Sequence, residues 1–144
     1  MNGDRGQALV LSVLALALAA VTIVGLEAAQ DRILADAHER RAGEAAVEAA
    51  GATLADALVE FTASLRDERG TPRVTPSRSE LDAFVADPLV VERSRVAAED
   101  LSAANGGGPV RDVAISAGAR TLDIALSVGA HRQRASIGTP CCRR

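Results

Sequence analysis

The sequence predicts an α+β protein, with an N-terminal transmembrane helix that continues as a long helix, then short helices and a C-terminal β-hairpin or small antiparallel sheet. The evidence is an uncharged apolar run near the start, a proline-free stretch rich in helix formers, and a later change of hydrophobic period from helical to two. The expected segments are a cytoplasmic stub (1–7), the transmembrane helix (8–26), an extended juxtamembrane helix (27–69), a small extracytoplasmic α+β region (70–138) and a tail (139–144).

The apolar run extends from Ala8 to Leu26 and ends at Glu27. At about 1.5 Å of rise per residue, a helix of this length matches the roughly 30 Å hydrocarbon core of a bilayer. A buried helix of a soluble protein is disfavoured, because so small a chain cannot cover such a helix on all sides. A cleavable signal peptide stays open as an alternative, although the run exceeds a usual h-region and its small-residue match, Ala17-Leu18-Ala19, falls inside it.

The charges around the run indicate its direction in the membrane. Arg5 and the amino terminus precede it, whereas the residues that follow are of mixed sign: Glu27, Asp31 and Arg32. Because positive charge is retained on the cytoplasmic side of membrane helices, we expect a cytoplasmic N-terminus and an extracytoplasmic C-terminal region.

Small residues recur four apart within the run and just after it, a spacing that permits close approach of a neighbouring membrane helix. The candidate packing positions are Ala15, Ala19, Gly25 and Ala29. Ordinary lipid-facing alanine stays open as the simpler interpretation.

The proline-free stretch from Glu27 to Arg69 predicts a helix that continues beyond the membrane. Gly43 and Gly51 are weak points in it, and Gly70 fits its C-cap. Spacings of three and four place an apolar stripe on one face, which needs a partner. The stripe consists of Leu54, Leu58, Phe61 and Leu65, extended upstream by Val47 and Ala50.

Two short helices are expected between about 78 and 104. Ser77 and Glu80 have the spacing of a capping box, and Asp87 followed by Pro88 fits an N-cap and a first helical position. The expected inner residues are Leu81, Phe84 and Val85 in the first helix and Leu89, Val96, Ala97 and Leu101 in the second. The glycine-rich run 105–109 stops the second helix, and we interpret it as a linker.

Alternation of period two predicts a β-hairpin at about 110–129, with its turn at 118–120, and a weaker third strand at about 133–137. Because a hairpin alone is marginally stable, we expect its apolar face to cover the stripe of the long helix. That face consists of Val113, Ile115, Ala117, Leu122, Ile124, Leu126 and Val128.

Composition limits the possible ligands. The only aromatic residues are Phe61 and Phe84, which disfavours base-stacking surfaces and ring-lined ligand pockets. The basic residues, all arginine, are spread along the chain among acids, and the net charge is -3, so no basic stripe is expected. We therefore expect neither nucleic acid nor a small-molecule substrate as a partner.

No residue pattern predicts catalysis, a cofactor or a metal site, and we expect that the protein is not an enzyme. His38 and His131 lack a second ligand at helical spacing, and the triple glycine lacks the Lys and Ser/Thr of a phosphate loop. The adjacent Cys141 and Cys142 have no zinc-site spacing, which favours a mobile tail with no cofactor role. An intermolecular disulfide outside the cytoplasm stays open as an alternative.

The opening Arg5-Gly6-Gln7-Ala8-Leu9-Val10, with the apolar run and the Ala-rich stretch after it, resembles the TadE/TadG-like proteins of tight-adherence (Tad, or Flp) pilus-assembly systems. The resemblance covers about the first fifty residues. It implies a membrane component whose partners are other pilus or secretion-system membrane subunits, with Gly6 and Gln7 as a candidate prepilin-type processing site. Pilin-like members carry a glutamate five residues after the glycine, where this chain has Leu11. This difference makes the chain closer to the TadG-like members or to an anchored relative without a pilin's assembly signal.

The leading functional hypothesis is therefore a single-pass structural component of a Tad-type pilus assembly or secretion system, either minor pilin-like or TadG-like. A membrane-anchored extracytoplasmic binding or sensor module unrelated to pili is the alternative. A secreted protein, released by signal-peptide cleavage, is the third.

Overall fold

The computed structural model describes the backbone of residues 3–73 and 75–139, and the side chains of this set from residue 10 onward. The architecture is α+β, as the sequence predicts. Its elements are α1 (Gly3–Ser64), α2 (Arg78–Val85), α3 (Pro88–Ala104), β1 (Val110–Ala117), β2 (Thr121–Val128) and β3 (His131–Gly138).

The chain divides into two compact units, residues 1–37 and 38–144. In its described part, the first unit consists of the N-terminal portion of α1. The second unit contains the remainder of α1, the two short helices and the sheet, and it holds the hydrophobic core.

α1 ends at Ser64, earlier than the expected end near Arg69. Asp67 explains the difference: its carboxylate accepts hydrogen bonds from the backbone N–H groups of Arg69 (2.9 Å) and Thr71 (2.7 Å). An aspartate that binds nearby backbone in this way competes with helix formation. Gly70, with a φ of 78°, therefore lies in the turn after the helix and not at its C-cap.

The predicted starts of α2 and α3 are confirmed. The Ser77 hydroxyl accepts from the N–H of Glu80 at 3.3 Å, and the Glu80 carboxylate accepts from the N–H of Ser77 at 2.6 Å, which completes the capping box. Asp87 is the N-cap of α3 and accepts from the N–H of Leu89 at 2.8 Å, with Pro88 as the first helical residue.

The buried face of α3 is not the expected one. The expected residues Leu89, Val96 and Leu101 are 72%, 42% and 38% exposed, and Ala97 is half-buried. The buried residues recur four apart and are mostly small: Val90, Ser94, Ala98 and Ser102. Small side chains let the helix approach its neighbours closely, so close packing, and not side-chain hydrophobicity, selects the inward face.

The triple glycine after α3 is a structured connection and not a linker. Gly106 has a φ of 72°, in the left-handed region that glycine tolerates best. A Cβ on Gly107 would lie 2.4 Å from the Cβ of Ala42 in α1, so only glycine fits there without a shift. The hydroxyl of Ser102 donates to the carbonyl of Gly108 at 2.9 Å.

The sheet is antiparallel with strand order β1-β2-β3, and the weaker third strand is therefore present, over His131–Gly138. His131 pairs with Val128 at the start of β3. Gly43 and Gly51 lie within the continuous α1 and face this strand: a Cβ on Gly43 would be 3.1 Å from Gln133 Cγ, and one on Gly51 would be 3.8 Å from Ala135 Cβ.

A β-bulge changes the phase of β1. The pairing moves from Arg111 opposite Ser127 to Ala114 opposite Ala125, which leaves one extra residue in β1. Asp112, with a φ of 53°, takes the left-handed conformation at this point. Val110 and Val113 consequently both belong to the core face, although strict alternation would place them on opposite faces.

The hairpin and the helical stripe share one hydrophobic core. Leu54 and Leu58 are 0% and 6% exposed and belong to the same buried cluster as the inward residues of β2. The β2 members of that cluster are Leu122, Ile124, Leu126 and Val128.

Candidate functional site: interaction surfaces

The first surface is the apolar portion of α1. This helix is long and apolar enough to cross a membrane: the mean hydropathy of its most apolar window is 2.3, and none of that window is buried within the protein. Its large apolar side chains are more than half exposed, from Ile23 at 58% to Leu16 at 71%. Ser12 and Thr22 are the polar residues of this portion from residue 10 to residue 26. The Thr22 hydroxyl donates to the carbonyls of Leu18 (2.7 Å) and Ala19 (2.9 Å), so it carries no unpaired donor into an apolar environment.

The four small residues predicted for membrane-helix packing lie exposed on α1. At Gly25, an added Cβ would meet nothing within 4 Å outside the backbone of the helix itself. Helical spacing places Ala15 beside Ala19 and Gly25 beside Ala29. Gly6 and Gln7 lie in the first turns of α1 by their backbone, and their side chains are outside the described set. Cys141 and Cys142 also lie outside the described residues.

The second surface is an open groove of about 300 Å³ where the end of α1 meets α2 and α3. Its floor holds the two aromatic residues of the chain: the rings of Phe61 and Phe84 stack with centroids 4.9 Å apart and an interplanar angle of 28°. The lining residues are Ala57, Glu60, Phe61, Ser64, Phe84, Asp87, Leu89, Val90 and Arg93.

The predicted stripe leads from the core into this groove. Leu54, Leu58 and Leu65 are buried, whereas Phe61 is only half-buried, because part of its ring faces the open groove. Leu89 lies at the start of α3 and is 72% exposed beside it. The prediction that Leu89 is an inner residue is wrong, because hydrophobicity alone does not determine which face of α3 points inward.

Charged side chains form the rim of the groove. Glu60 and Arg93 form an ion pair of 3.5 Å between side chains that are 72% and 66% exposed. Ion pairs this exposed contribute little to stability. Asp87 is already engaged as the N-cap of α3. An apolar floor with a charged rim is suited to an apolar side chain or small apolar group of a partner.

The two histidines belong to no candidate metal site in the described part of the chain. Within residues 3–73 and 75–139, no group of three or more His, Cys, Asp or Glu side chains is placed to hold a metal ion. His38 is exposed on α1, and His131 lies at the start of β3.

Comparison with known proteins adds no relative: the chain matches no protein-family model, no curated protein and no solved structure.

Proposed function

We propose that the protein is a single-pass membrane component of an envelope assembly of the Tad pilus kind, acting through protein–protein packing and not through catalysis. One observation carries the proposal: an apolar stretch of membrane-spanning length, exposed on all sides, belongs to the same helix whose later residues form the core of a folded α+β unit. The opening Arg5-Gly6-Gln7-Ala8 supports the choice of a Tad-type assembly, by resemblance.

In this proposal the N-terminus is cytoplasmic and residues 38–144 are extracytoplasmic. Arg5 and the amino terminus precede the apolar stretch, which favours this orientation by the positive-inside rule. The pairs Ala15/Ala19 and Gly25/Ala29 supply positions at which a membrane helix of another subunit packs closely.

The groove favours a second candidate function, a membrane-anchored binding module unrelated to pili. Its volume of about 300 Å³ lies at the small end of ligand sites, and its floor is formed by stacked phenylalanines. In that case the apolar helix serves only as an anchor.

The mass of the intact protein, extracted from native membranes, tests the anchor and the processing site together. A chain that retains residues 8–26 supports the anchored protein, and one that begins at Gln7 adds prepilin-type processing. A mature chain that begins near Ala28 or Ala29 would overturn the anchored protein in favour of a secreted one.

The native cysteines test the orientation. Cys141 and Cys142 are reduced in intact cells with a membrane-impermeant phosphine and treated with a membrane-impermeant maleimide. Labelling in intact cells is expected for an extracytoplasmic C-terminal region. Labelling only after lysis would reverse the proposed orientation.

Deletion of the gene in its native cells separates the two candidate functions. The pilus proposal predicts that surface pili are lost in the deletion strain and return with a plasmid copy of the gene. It also predicts that genes for a secretion ATPase and a Tad-type membrane platform lie near this gene in the genome. Normal pili in the deletion strain would favour the anchored binding module.

A further inference from the structure

The sheet has an uncovered face that carries arginines at matching positions. Arg111 in β1 and Arg132 in β3 both pair with Ser127 in the central strand, one on each side of it. Directly paired residues point to the same face, and Ser127 alternates with the core residues Leu126 and Val128, so this face points away from the core. We call Arg111, Ser127 and Arg132 the arginine row.

No described carboxylate forms an ion pair with the arginine row; Asp123, on the same face of β2, accepts hydrogen bonds from the hydroxyls of Thr121 and Ser136 instead. Arg111 and Arg132 are exposed, and neither takes part in any of the ion pairs that engage Arg40, Arg73, Arg78, Arg93 and Arg95. Arg134, two residues along β3 on the same face, is likewise exposed and unpaired within residues 3–73 and 75–139. The register of the sheet thus assembles a positive surface that the spacing of these residues along the chain does not reveal.

The exposed side of α1 carries the complementary pattern. Glu48, Ala52 and Asp56 follow one another at intervals of four residues, and all three are exposed. Their acidic neighbours Glu44 and Glu60 are held by Arg40 and Arg93, whereas Glu48 and Asp56 form no ion pair in the described part of the chain. We call Glu48, Ala52 and Asp56 the acidic row.

The two rows match in length and in order. Neighbouring strands are about 4.8 Å apart, so the backbone positions of Arg111 and Arg132 are separated by about 10 Å with a small serine between them. Eight helical residues rise about 12 Å, which separates Glu48 from Asp56 with a small alanine between them. The long arginine side chains accommodate the difference, and their guanidinium groups are suited to paired hydrogen bonds with carboxylates.

We propose that the arginine row of one copy docks on the acidic row of a second copy, with α1 of the second copy lying across the strands of the first. The contact joins two different surfaces, so each copy retains one free row of each kind. Contacts of this heterologous type extend into rows of molecules unless a rotation closes them into a ring. The inference goes beyond the proposed function, because it requires only copies of this chain and no pilus.

Cysteine cross-linking of the full chain in phosphatidylcholine proteoliposomes tests the contact. Both native cysteines are first replaced by serine, and Ala52→Cys and Ser127→Cys are then introduced singly. Mixing the two single variants is expected to give a disulfide-linked dimer under mild oxidation, whereas each alone gives little. A chain that carries both substitutions is expected to give a ladder of multimers.

Charge reversal shows whether the rows hold the contact. In the doubly substituted chain, Arg111→Glu with Arg132→Glu, or Glu48→Arg with Asp56→Arg, is expected to lower the multimer yield at least about tenfold, because like charges then face each other. Combining all four reversals restores attraction, and the multimers are expected to return. Arg120→Glu, in the exposed β1–β2 turn, is the control and leaves the yield unchanged.

Three outcomes would overturn the proposal. The first is equal cross-linking by each single-cysteine variant alone, and the second is a multimer yield that does not change on charge reversal. The third is a chain with all four reversals that stays monomeric although its far-ultraviolet circular dichroism is unchanged. Absence of cross-links combined with arginine-dependent binding to phosphatidylglycerol vesicles would assign the arginine row to anionic lipid instead. None of these results alters the mass, labelling or deletion tests, so failure here is distinguishable from failure of the proposed function.

Discussion

The two portions of α1 differ in a way that composition alone does not suggest. From residue 10 to residue 26 the helix is almost wholly apolar, and all of its described side chains are exposed. From residue 42 onward it is rich in alanine, glycine and charge, yet it supplies Ala46, Val47, Ala50 and Leu54 to the core. The less hydrophobic portion is the one that the protein buries.

This contrast separates hydrophobicity from amphipathicity. A helix packs against the rest of its own chain when its apolar residues form one stripe and its polar residues keep the other side in water. A helix that is apolar on all sides has no polar side to leave exposed, and its apolar surface is best accommodated by lipid. The following experiments test this contrast, beginning with the largest expected effect.

A charge on the buried side of α1 should strongly destabilise the second unit. Leu58→Asp is expected to lower the free energy of unfolding by about 4 kcal/mol, because it removes a side chain that is 6% exposed and buries a carboxylate in its place. Thermal unfolding and protease resistance of the full chain in detergent measure this loss.

The adjacent Val59→Asp is the matched control, since Val59 is 67% exposed, and a change below about 0.5 kcal/mol is expected. Equal effects of the two substitutions would contradict the hairpin-on-helix core.

A charge in the apolar portion of α1 should weaken membrane insertion and leave the fold unchanged. Leu18→Asp is expected to weaken insertion by about 2.5–3.5 kcal/mol, the cost of an ionisable residue near the centre of a membrane helix. Unfolding of residues 38–144 should be unchanged. Extraction of membranes with alkaline carbonate measures the change in insertion.

Leu34→Asp is the matched control, because Leu34 is 58% exposed and lies beyond the apolar run. The Leu34→Asp protein should remain in the membrane fraction. If Leu18→Asp were extracted no more readily than Leu34→Asp, residues 8–26 would not be the anchor.

Close approach of the α3–β1 connection to α1 predicts a steric effect. Gly107→Ala is expected to cost about 1–3 kcal/mol, because its Cβ would lie 2.4 Å from the Cβ of Ala42, an atom bonded directly to the backbone of α1. Chemical denaturation of the full chain in detergent measures the cost.

Gly108→Ala, where an added Cβ meets nothing within 4 Å, should change stability by less than about 0.5 kcal/mol. A harmless Gly107→Ala would show that the core over this portion of α1 is looser than described.

The smallest expected effect concerns the cap of α2, the helix that brings Phe84 onto Phe61 of α1. Hydrogen bonds from the backbone and hydroxyl of Ser77, aided by Arg73, hold the pKa of the Glu80 carboxyl below its ordinary value of 4.5. Because the pKa is lower in the folded state, this stabilisation is fully present at a pH above the ordinary pKa. It is lost as the pH falls through the lowered pKa of the folded protein.

Thermal unfolding as a function of pH measures this effect: Glu80→Gln should reduce stability at neutral pH and bring the two proteins closer together in acid. Glu68→Gln, an exposed carboxyl outside the cap, should leave the curve unchanged. If the difference in stability between the wild-type protein and Glu80→Gln stayed constant across the acid range, a charged capping box would be contradicted.

Much of the fold follows from patterns that the chain carries locally. The apolar run, the capping box at Ser77, the Asp87-Pro88 start and the change to period two each depend on residues close in sequence, so the sequence alone determined the element types and most helix starts. The stripe through Leu54 and Leu58 was also readable, because three- and four-residue spacings define one helical face.

Only the tertiary structure decided which surfaces meet. The inward face of α3 is set by how closely its small residues approach their neighbours, so Ala98 and Ser102 are buried while Leu89 is exposed. The bulge at Asp112 depends on pairing with β2, and it moves Val110 to the core side. Arg111 and Arg132 lie far apart in the chain and share a partner only through the register of the sheet. Contacts between distant segments depend on register and close approach, which no local spacing records.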